Sequence, residues 1–319
     1  MVNQRIFITG GSGCVGHYLA EKLINHTEHE LFFLVRNPNK LTFNFHTRPG
    51  VHLLTGDLQD ITPFVELLPT MNSVVLLATQ WGGDKTFAVN VEANLRIMQA
   101  LNPAVCEQVI YFSTASILDK NLQLLPQAKT LGTEYIRSKY ICYEELKKLA
   151  VYNRLTVMFP TLIFGGDKDK PYSHISTGLD QLPRYLKWLR WLRADGCFHF
   201  IHAQDIAEVL LYYLAHPAGE FRQFVLGNEV IFLNQALREL CTYFGLNVPR
   251  WQLDLTPRRV AFLMRVARWL GVQFIPWDDF CAEYRYFCYE PVLNPTQLGL
   301  TPHCQTLSEL LVVLGIPSA

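Results

Sequence analysis

Nowhere in the 319 residues does an apolar run approach the ~18–20 residues that a membrane span needs; stretches such as Val74 to Ala78 have the length of buried strands. No charge of either sign is in excess: 28 Lys and Arg balance 28 Asp and Glu, which removes the simplest case for a nucleic-acid partner. The eight cysteines form no C-x-x-C pair, so neither a zinc ribbon nor a disulfide scaffold is indicated. Internal repeats and low-complexity linkers are missing, and "NQRIFITGG" carries no charged-then-apolar leader. The expectation is a cytoplasmic protein with no transmembrane span. What is there is apolar content: half the chain is hydrophobic and only 18% is charged, enough to bury a substantial core.

The amino-terminal half alternates short apolar runs with periodic segments. Ile6–Thr9, Leu31–Val35, His52–Leu54, Val74–Ala78, Val109–Ser113 and Leu155–Phe159 read as buried strands. His17–Ile24, Asn90–Leu101 and Glu134–Ala150 read as helices between them. Alternation of this kind predicts a parallel sheet covered on both faces, an α/β doubly wound architecture. After Phe164 the rhythm changes to a loop, "GGDKDKPYSH", and an aromatic, basic segment, "LPRYLKWLRWLR". The predicted division gives 1–164 to the nucleotide-binding domain, with 203–227 returning to it. The remainder, 165–202 and 228–319, forms a smaller, mostly helical substrate-binding part.

The segment "ITGGSGCVGHYLAEKL" puts Gly10, Gly11, Ser12, Gly13, Cys14, Val15 and Gly16 between the first strand and a helix. Glycines permit a tight turn and close backbone approach, and the helix amino terminus offers free N–H groups and a positive dipole to a pyrophosphate. Gly11, Gly13 and Gly16 match the dinucleotide fingerprint in its required strand–turn–helix context. A flexible glycine turn is the competing reading. Where an NAD enzyme would carry an acidic residue for the ribose 2′-hydroxyl, Val35 is followed by Arg36, whose guanidinium suits a 2′-phosphate. NADP(H) is therefore favoured, with NAD(H) kept open because Arg36 could equally be solvated or stack on adenine.

Tyr135 and Lys139, four apart in a helical pattern, share a face, and a tyrosine beside an ammonium is a workable general acid/base. About twenty residues earlier lies the hydroxyl-rich strand end "YFSTAS".

With these pieces in order, "TGGSGCVG", "GDLQD", "NVEANL", "STASI" and "YIRSK", the chain resembles the extended short-chain dehydrogenase/reductases, the NAD-dependent epimerase/dehydratase family. The likeness continues through "FPTLIFG", "FHFIHAQDIAEVLL" and "LGLTP", so it spans essentially the whole chain. The resemblance implies a Rossmann-like fold, Tyr135 as acid/base, Lys139 as its tuner and nicotinamide-ribose ligand, and Thr114 as the hydroxyl that orients the substrate oxygen. Ser113 competes with Thr114, or is a backbone-bonding structural serine. By the same resemblance Asp57 and Leu58 contact adenine, Ala78, Pro160 and Thr161 line the cofactor cleft, and Asn90 is the family's helix-start asparagine. A homodimer through Asn90–Leu101 and Glu134–Ala150 is also implied.

Three departures bear on the reaction. Ala115 and Ser116 stand where the family's dehydratases carry an Asp-Glu pair, Phe198 where many sugar-nucleotide epimerases carry a diphosphate-binding arginine, and Phe159-Pro160 where Arg-Pro is common. They point away from nucleotide sugars and toward a small, largely apolar carbonyl or alcohol, with Trp81, Ser116 and Phe198 as substrate-side candidates. A cofactor-retaining epimerase and a non-catalytic dinucleotide-binding subunit are the alternatives. "LPRYLKWLRWLR" and "TPRRVAFLMRVARWLG" read either as ordinary amphipathic packing or as membrane-surface helices. His199 and His202 lie an odd number apart on a strand, so they face oppositely and no metal site is expected; His26 and His29 are expected in an exposed loop.

Overall fold

The computed structural model describes residues 3–318. Six strands, β1 (Arg5–Thr9), β2 (Glu30–Val35), β3 (Val51–Thr55), β4 (Ser73–Leu76), β5 (Gln108–Phe112) and β6 (Leu155–Pro160), join an edge strand, Arg222–Leu226, in one sheet. Its order is β3-β2-β1-β4-β5-β6-edge, with every pair parallel. The chain order reverses between β1 and β4. In such sheets that reversal opens a crevice at the strands' carboxyl ends, where ligands bind.

Near-continuous apolar strands make sense because both faces are covered. Ile6 and Ile8 of β1 pack with Phe33, Ile110 and Met158 under α1 (Cys14–His26) and a later helix, Ala203–Ala215. Phe7 points the other way, with Leu34, Val74, Tyr111 and Val157. That second face lies under α2 (Asn94–Ala100), α3 (Pro126–Thr130) and α4 (Glu134–Leu146). Thr133 caps α4 by accepting from the Ile136 N–H at 3.3 Å. The expected helix over Asn90–Leu101 does not run as one α-helix: Ala88–Ala93 is a π-helical segment, followed by α2.

The remaining helices are α5 (Leu182–Leu189), α6 (the Ala203–Ala215 helix), α7 (Leu233–Tyr243), α8 (Pro257–Trp269), α9 (Pro276–Glu283) and α10 (Leu307–Val313). Three two-stranded ladders tie them together, Phe200–His202 with Leu162–Phe164, Cys197–Phe198 with Ile231–Phe232, and Leu192–Arg193 with Leu253–Asp254. A disulfide joins Cys197 to Cys288, 91 residues on, at a Cα–Cα distance of 6.1 Å. His29 is buried rather than in an exposed loop, because its Nδ1 accepts from the Gln4 N–H at 3.2 Å. His199 Nδ1 bonds the Asn228 carbonyl at 2.7 Å while His202 packs against His303, so each ring has its own surroundings. No helix among the described residues is long and apolar enough to cross a membrane.

Candidate active site

A cleft of about 500 Å³ runs along the carboxyl ends of the strands. One end is built on the glycine loop. Gly10 has φ of +78°, and a Cβ there would lie 2.6 Å from the Ala78 nitrogen. Gly16 sits so close beneath the turn that a Cβ would meet the Gly10 carbonyl at 2.2 Å. Glycine is required at both positions, one for conformation and close approach, the other for helix–strand contact. Gly13 offers α1 no side-chain cap, and no acidic residue occupies the first turn, which leaves its amide donors and positive dipole for an anion in the cleft. Gly10, Ser12, Gly13, Cys14, Val15 and Gly16 line the cleft; Gly11 does not, being turned toward Phe33, whose ring would lie 3.1 Å from a Cβ. This cradle fits a dinucleotide pyrophosphate.

Arg36 lines the far end, together with Lys40, a residue that the sequence reading missed. Lys40 ends the turn Pro38–Lys40, which Asn37 fixes by accepting from the Asn39 N–H at 3.0 Å. The buried His17 ring fastens this loop to the glycine turn, since Nε2 accepts from the Thr42 N–H at 3.3 Å and Nδ1 reaches the Gly13 carbonyl at 3.0 Å. The accepting Nε2 requires the proton on Nδ1, and burial lowers the ring's pKa, which favours that neutral form. Asp57 and Leu58 line the same end, and the Asp57 carboxylate is held below its usual range by the Gln59 amide N–H at 3.0 Å.

At the other end, Thr114 follows β5 and accepts from the Ser116 N–H at 3.3 Å. Tyr135 lines the cleft beside it. Burial raises the Tyr135 pKa to about 12, and the neighbouring Thr114 hydroxyl only partly opposes this. Lys139 is 2% exposed, donates from Nζ to the Phe112 carbonyl at 2.7 Å, and lies 5.2 Å from the centre of the Tyr111 ring. Desolvation lowers its pKa to about 8. The expected depression of the Tyr135 pKa by Lys139 is therefore not found in this structure, because burial dominates at the phenol and the ammonium is committed to Phe112.

Asn90 organises the loop above. Its Oδ1 accepts from the Gln80 N–H at 2.8 Å, and its Nδ2 donates to the Gln80 carbonyl at 2.8 Å and to the Ser138 hydroxyl at 2.9 Å. The π-helical turn presents this buried amide, a distortion frequent at functional sites. Held this way, Trp81 packs at a tilt against Tyr135 with ring centres 4.4 Å apart, and His174 stacks on Trp81 at 5.3 Å.

Ala78, Trp81, Thr114, Ser116, Tyr135, Lys139, Pro160 and Thr161 thus meet in one cleft. Phe198 is not among them; it pairs with Ile231 and packs with Phe164 and Phe200. Ser113 departs from its backbone-bonding alternative, since its hydroxyl is buried on the cleft wall with no hydrogen-bond partner among the described residues, a place that keeps it as a competitor of Thr114. The sequence reading missed Gln80 and the segment Pro171–Ile175, which crosses the cleft. Gly166, with φ of +105°, lets that segment fold back: a Cβ there would strike the Tyr172 Cα at 2.4 Å. The quoted "GGDKDKPYSH" held this signal in its glycine pair.

The family model described as NAD dependent epimerase/dehydratase family matches residues 6–227, from β1 through the edge strand. The chain belongs to that family. Short-chain dehydrogenase/reductase family 42E member 1 of Xenopus laevis is 23% identical over 202 residues, 56% of this chain and 51% of that protein. The chain thus matches about half the length of this curated relative. Among solved structures, the Bordetella bronchiseptica enzyme WbmG in complex with NAD superposes with a TM-score of 0.63 at 15% identity, covering 98% of this chain and 93% of that one. UDP-glucose 4-epimerase from Thermotoga maritima, solved with UDP-glucose, gives 0.60 at 16% identity, covering 97% of each chain. Likeness at that identity concerns the fold alone, and it extends over nearly the whole chain.

Proposed function

We propose that this chain is an NADP(H)-dependent oxidoreductase that interconverts a carbonyl and an alcohol in a small, largely apolar substrate. The observation that carries the reading is the grouping of Thr114, Tyr135 and Lys139 at one end of a cleft whose other end holds Arg36 and Lys40. Gly10 to Gly16 and the start of α1 would hold the pyrophosphate, and Asp57 and Leu58 the adenine. Arg36 and Lys40 would hold a 2′-phosphate, for which two cations and no carboxylate at the end of β2 are suited. When bound, the nicotinamide nucleotide supplies or accepts the hydride.

The chain's own part is orientation and proton transfer. Tyr135 keeps its proton through the neutral range and gives it to the oxygen of a carbonyl being reduced. Thr114 holds that oxygen in line and bonds the phenolic oxygen as its proton leaves. Lys139 places a cation beneath the site, compensating developing negative charge. Trp81 and His174 cover the reacting end and exclude water. Cofactor consumption tests the reading: NADPH should be oxidised in proportion to a carbonyl panel of apolar ketones and aldehydes. The epimerase alternative predicts stereochemical change in a sugar with no net loss of nucleotide.

A further inference from the structure

Five of the chain's six tryptophans lie outside the core; apart from Trp81 at the cleft, they fall in two stretches. Trp188 and Trp191 follow one another around the end of α5, at 77% and 44% exposure; Trp251 precedes α8 and Trp269 ends it, at 68% and 84%. The ladder between Leu192–Arg193 and Leu253–Asp254 puts these stretches side by side, reinforced by Gln252 Nε2 donating to the Arg190 carbonyl at 2.9 Å. Within α8 only Met264 is buried, while Phe262, Leu263 and Val266 are exposed. A thirteen-residue helix with so little packing against its own chain is poorly stabilised in water, and an apolar surface this concentrated marks an interaction site.

Charge decides what covers it. Although the chain is neutral overall, residues 182–194 contain Arg184, Lys187, Arg190 and Arg193 and no acid. Residues 250–272 contain five arginines against Asp254 alone. Arg193 pairs with Asp254 and Arg268 with Asp279 of α9, while Arg184, Lys187, Arg258 and Arg265 stand in no ion pair among the described residues. The core of a protein–protein interface is depleted of charge, whereas here cations alternate with tryptophan and leucine along both segments. That is the composition of helices lying in a headgroup layer, with Trp at the boundary and Arg reaching phosphate.

We propose that the face formed by α5, the Leu192–Arg193/Leu253–Asp254 ladder and α8 docks on an anionic lipid surface. The proposal stands on this patch alone and is independent of the reaction assigned to the cleft. Co-sedimentation of the whole chain with vesicles tests it, comparing phosphatidylcholine alone with phosphatidylcholine containing phosphatidylserine. Binding should be at least about tenfold stronger to the anionic vesicles and should weaken with added salt. Arg258→Ser and Arg265→Ser should each weaken it about fivefold. Trp188→Ala and Trp269→Ala should weaken it as well, while nucleotide binding in the cleft, which neither residue lines, stays unchanged. Equal or undetectable binding to both vesicle types would overturn the proposal. A dimer in solution that Trp269→Ala dissociates would also overturn it, assigning the face to a second copy.

Discussion

The Tyr289 hydroxyl donates to the Ala115 carbonyl at 2.8 Å, joining residues 174 apart in sequence. The bond is buried and holds the turn that follows Thr114. The same residue's N–H donates to His199 Nε2 at 3.0 Å, and its neighbour Cys288 is bridged to Cys197. The carboxyl-terminal segment therefore braces the reacting end of the cleft without lining it. Tyr289→Phe removes one of two donors to the Ala115 carbonyl, which keeps the Leu118 N–H at 2.9 Å; the loss is about 0.5–1.5 kcal/mol of stability. If Tyr289 positions the turn, kcat should fall by about tenfold while KM for the nucleotide stays near the parent value, because Ala115 lies on the substrate side. Steady-state kinetics and a thermal melt separate this from a purely structural role, which would lower the melting temperature and leave kcat alone.

Nucleotide choice should follow the two cations at the end of β2. Arg36→Ala and Lys40→Ala should each weaken NADPH binding by roughly ten- to hundredfold, the value of one charge-assisted hydrogen bond, and change NADH binding little. Fluorescence titration checks this. Tighter binding of NADH than NADPH by the parent protein would remove the preference altogether.

Proton transfer gives a pH signature. With its pKa raised to about 12, Tyr135 is protonated throughout the neutral range, the form that carbonyl reduction needs. Alcohol oxidation needs the proton absent, so its rate should rise with pH through neutrality while the reduction rate stays level. Tyr135→Phe should lower turnover by about 10²-fold or more and spare nucleotide binding. Paired pH–rate profiles in both directions, with a binding titration of the variant, are the measurement.

Lys139 carries a stability cost. Its pKa is about 8 in the fold and 10.5 as the ordinary value, so the unfolded chain holds the proton more firmly. The burial penalty is thus full below pH 8 and fades as pH rises toward 10.5. Lys139→Met should raise the melting temperature at pH 7 by about a few degrees, less the lost bond to Phe112, and that gain should shrink at alkaline pH. Turnover should be lost. Melts of parent and variant at several pH values decide the sign.

The sheet was legible because a parallel strand buried on both faces is a short, continuous apolar run: "IFIT" and "LFFLV" could scarcely be anything else between glycine turns. The phosphate cradle was legible for a similar reason, since glycine spacing encodes a local backbone shape. Long-range contacts were not. Asn90, on the π-helical turn, is held by bonds to Gln80 and Ser138, and no local pattern announces either the turn or the bonds. Lys40 reaches the cleft through a loop that His17 anchors from another element. The family pattern puts Phe198 at the pocket, yet it pairs with Ile231 and packs with Phe164 and Phe200 instead of lining the cleft. The Cys197–Cys288 bridge likewise joins elements that meet only in three dimensions.

With Phe198 outside the cleft, the argument for an apolar substrate passes to Trp81. This residue is half-exposed, packs at a tilt against Tyr135 at 4.4 Å and is itself backed by His174 at 5.3 Å, so it forms one wall where a substrate carbonyl must approach. An aromatic wall rewards apolar area and offers a diphosphate no charge-assisted bonds, each worth about 1.5–3 kcal/mol. Trp81→Ala should therefore raise KM for apolar ketones by about tenfold and leave nucleotide affinity unchanged, since the indole lies beyond the Gly10–Gly16 cradle. UDP-sugars should neither consume NADPH nor compete with the ketone. Competition assays on the parent protein carry the decision: micromolar binding of a UDP-sugar that Trp81→Ala leaves intact would return the site to the epimerase reading.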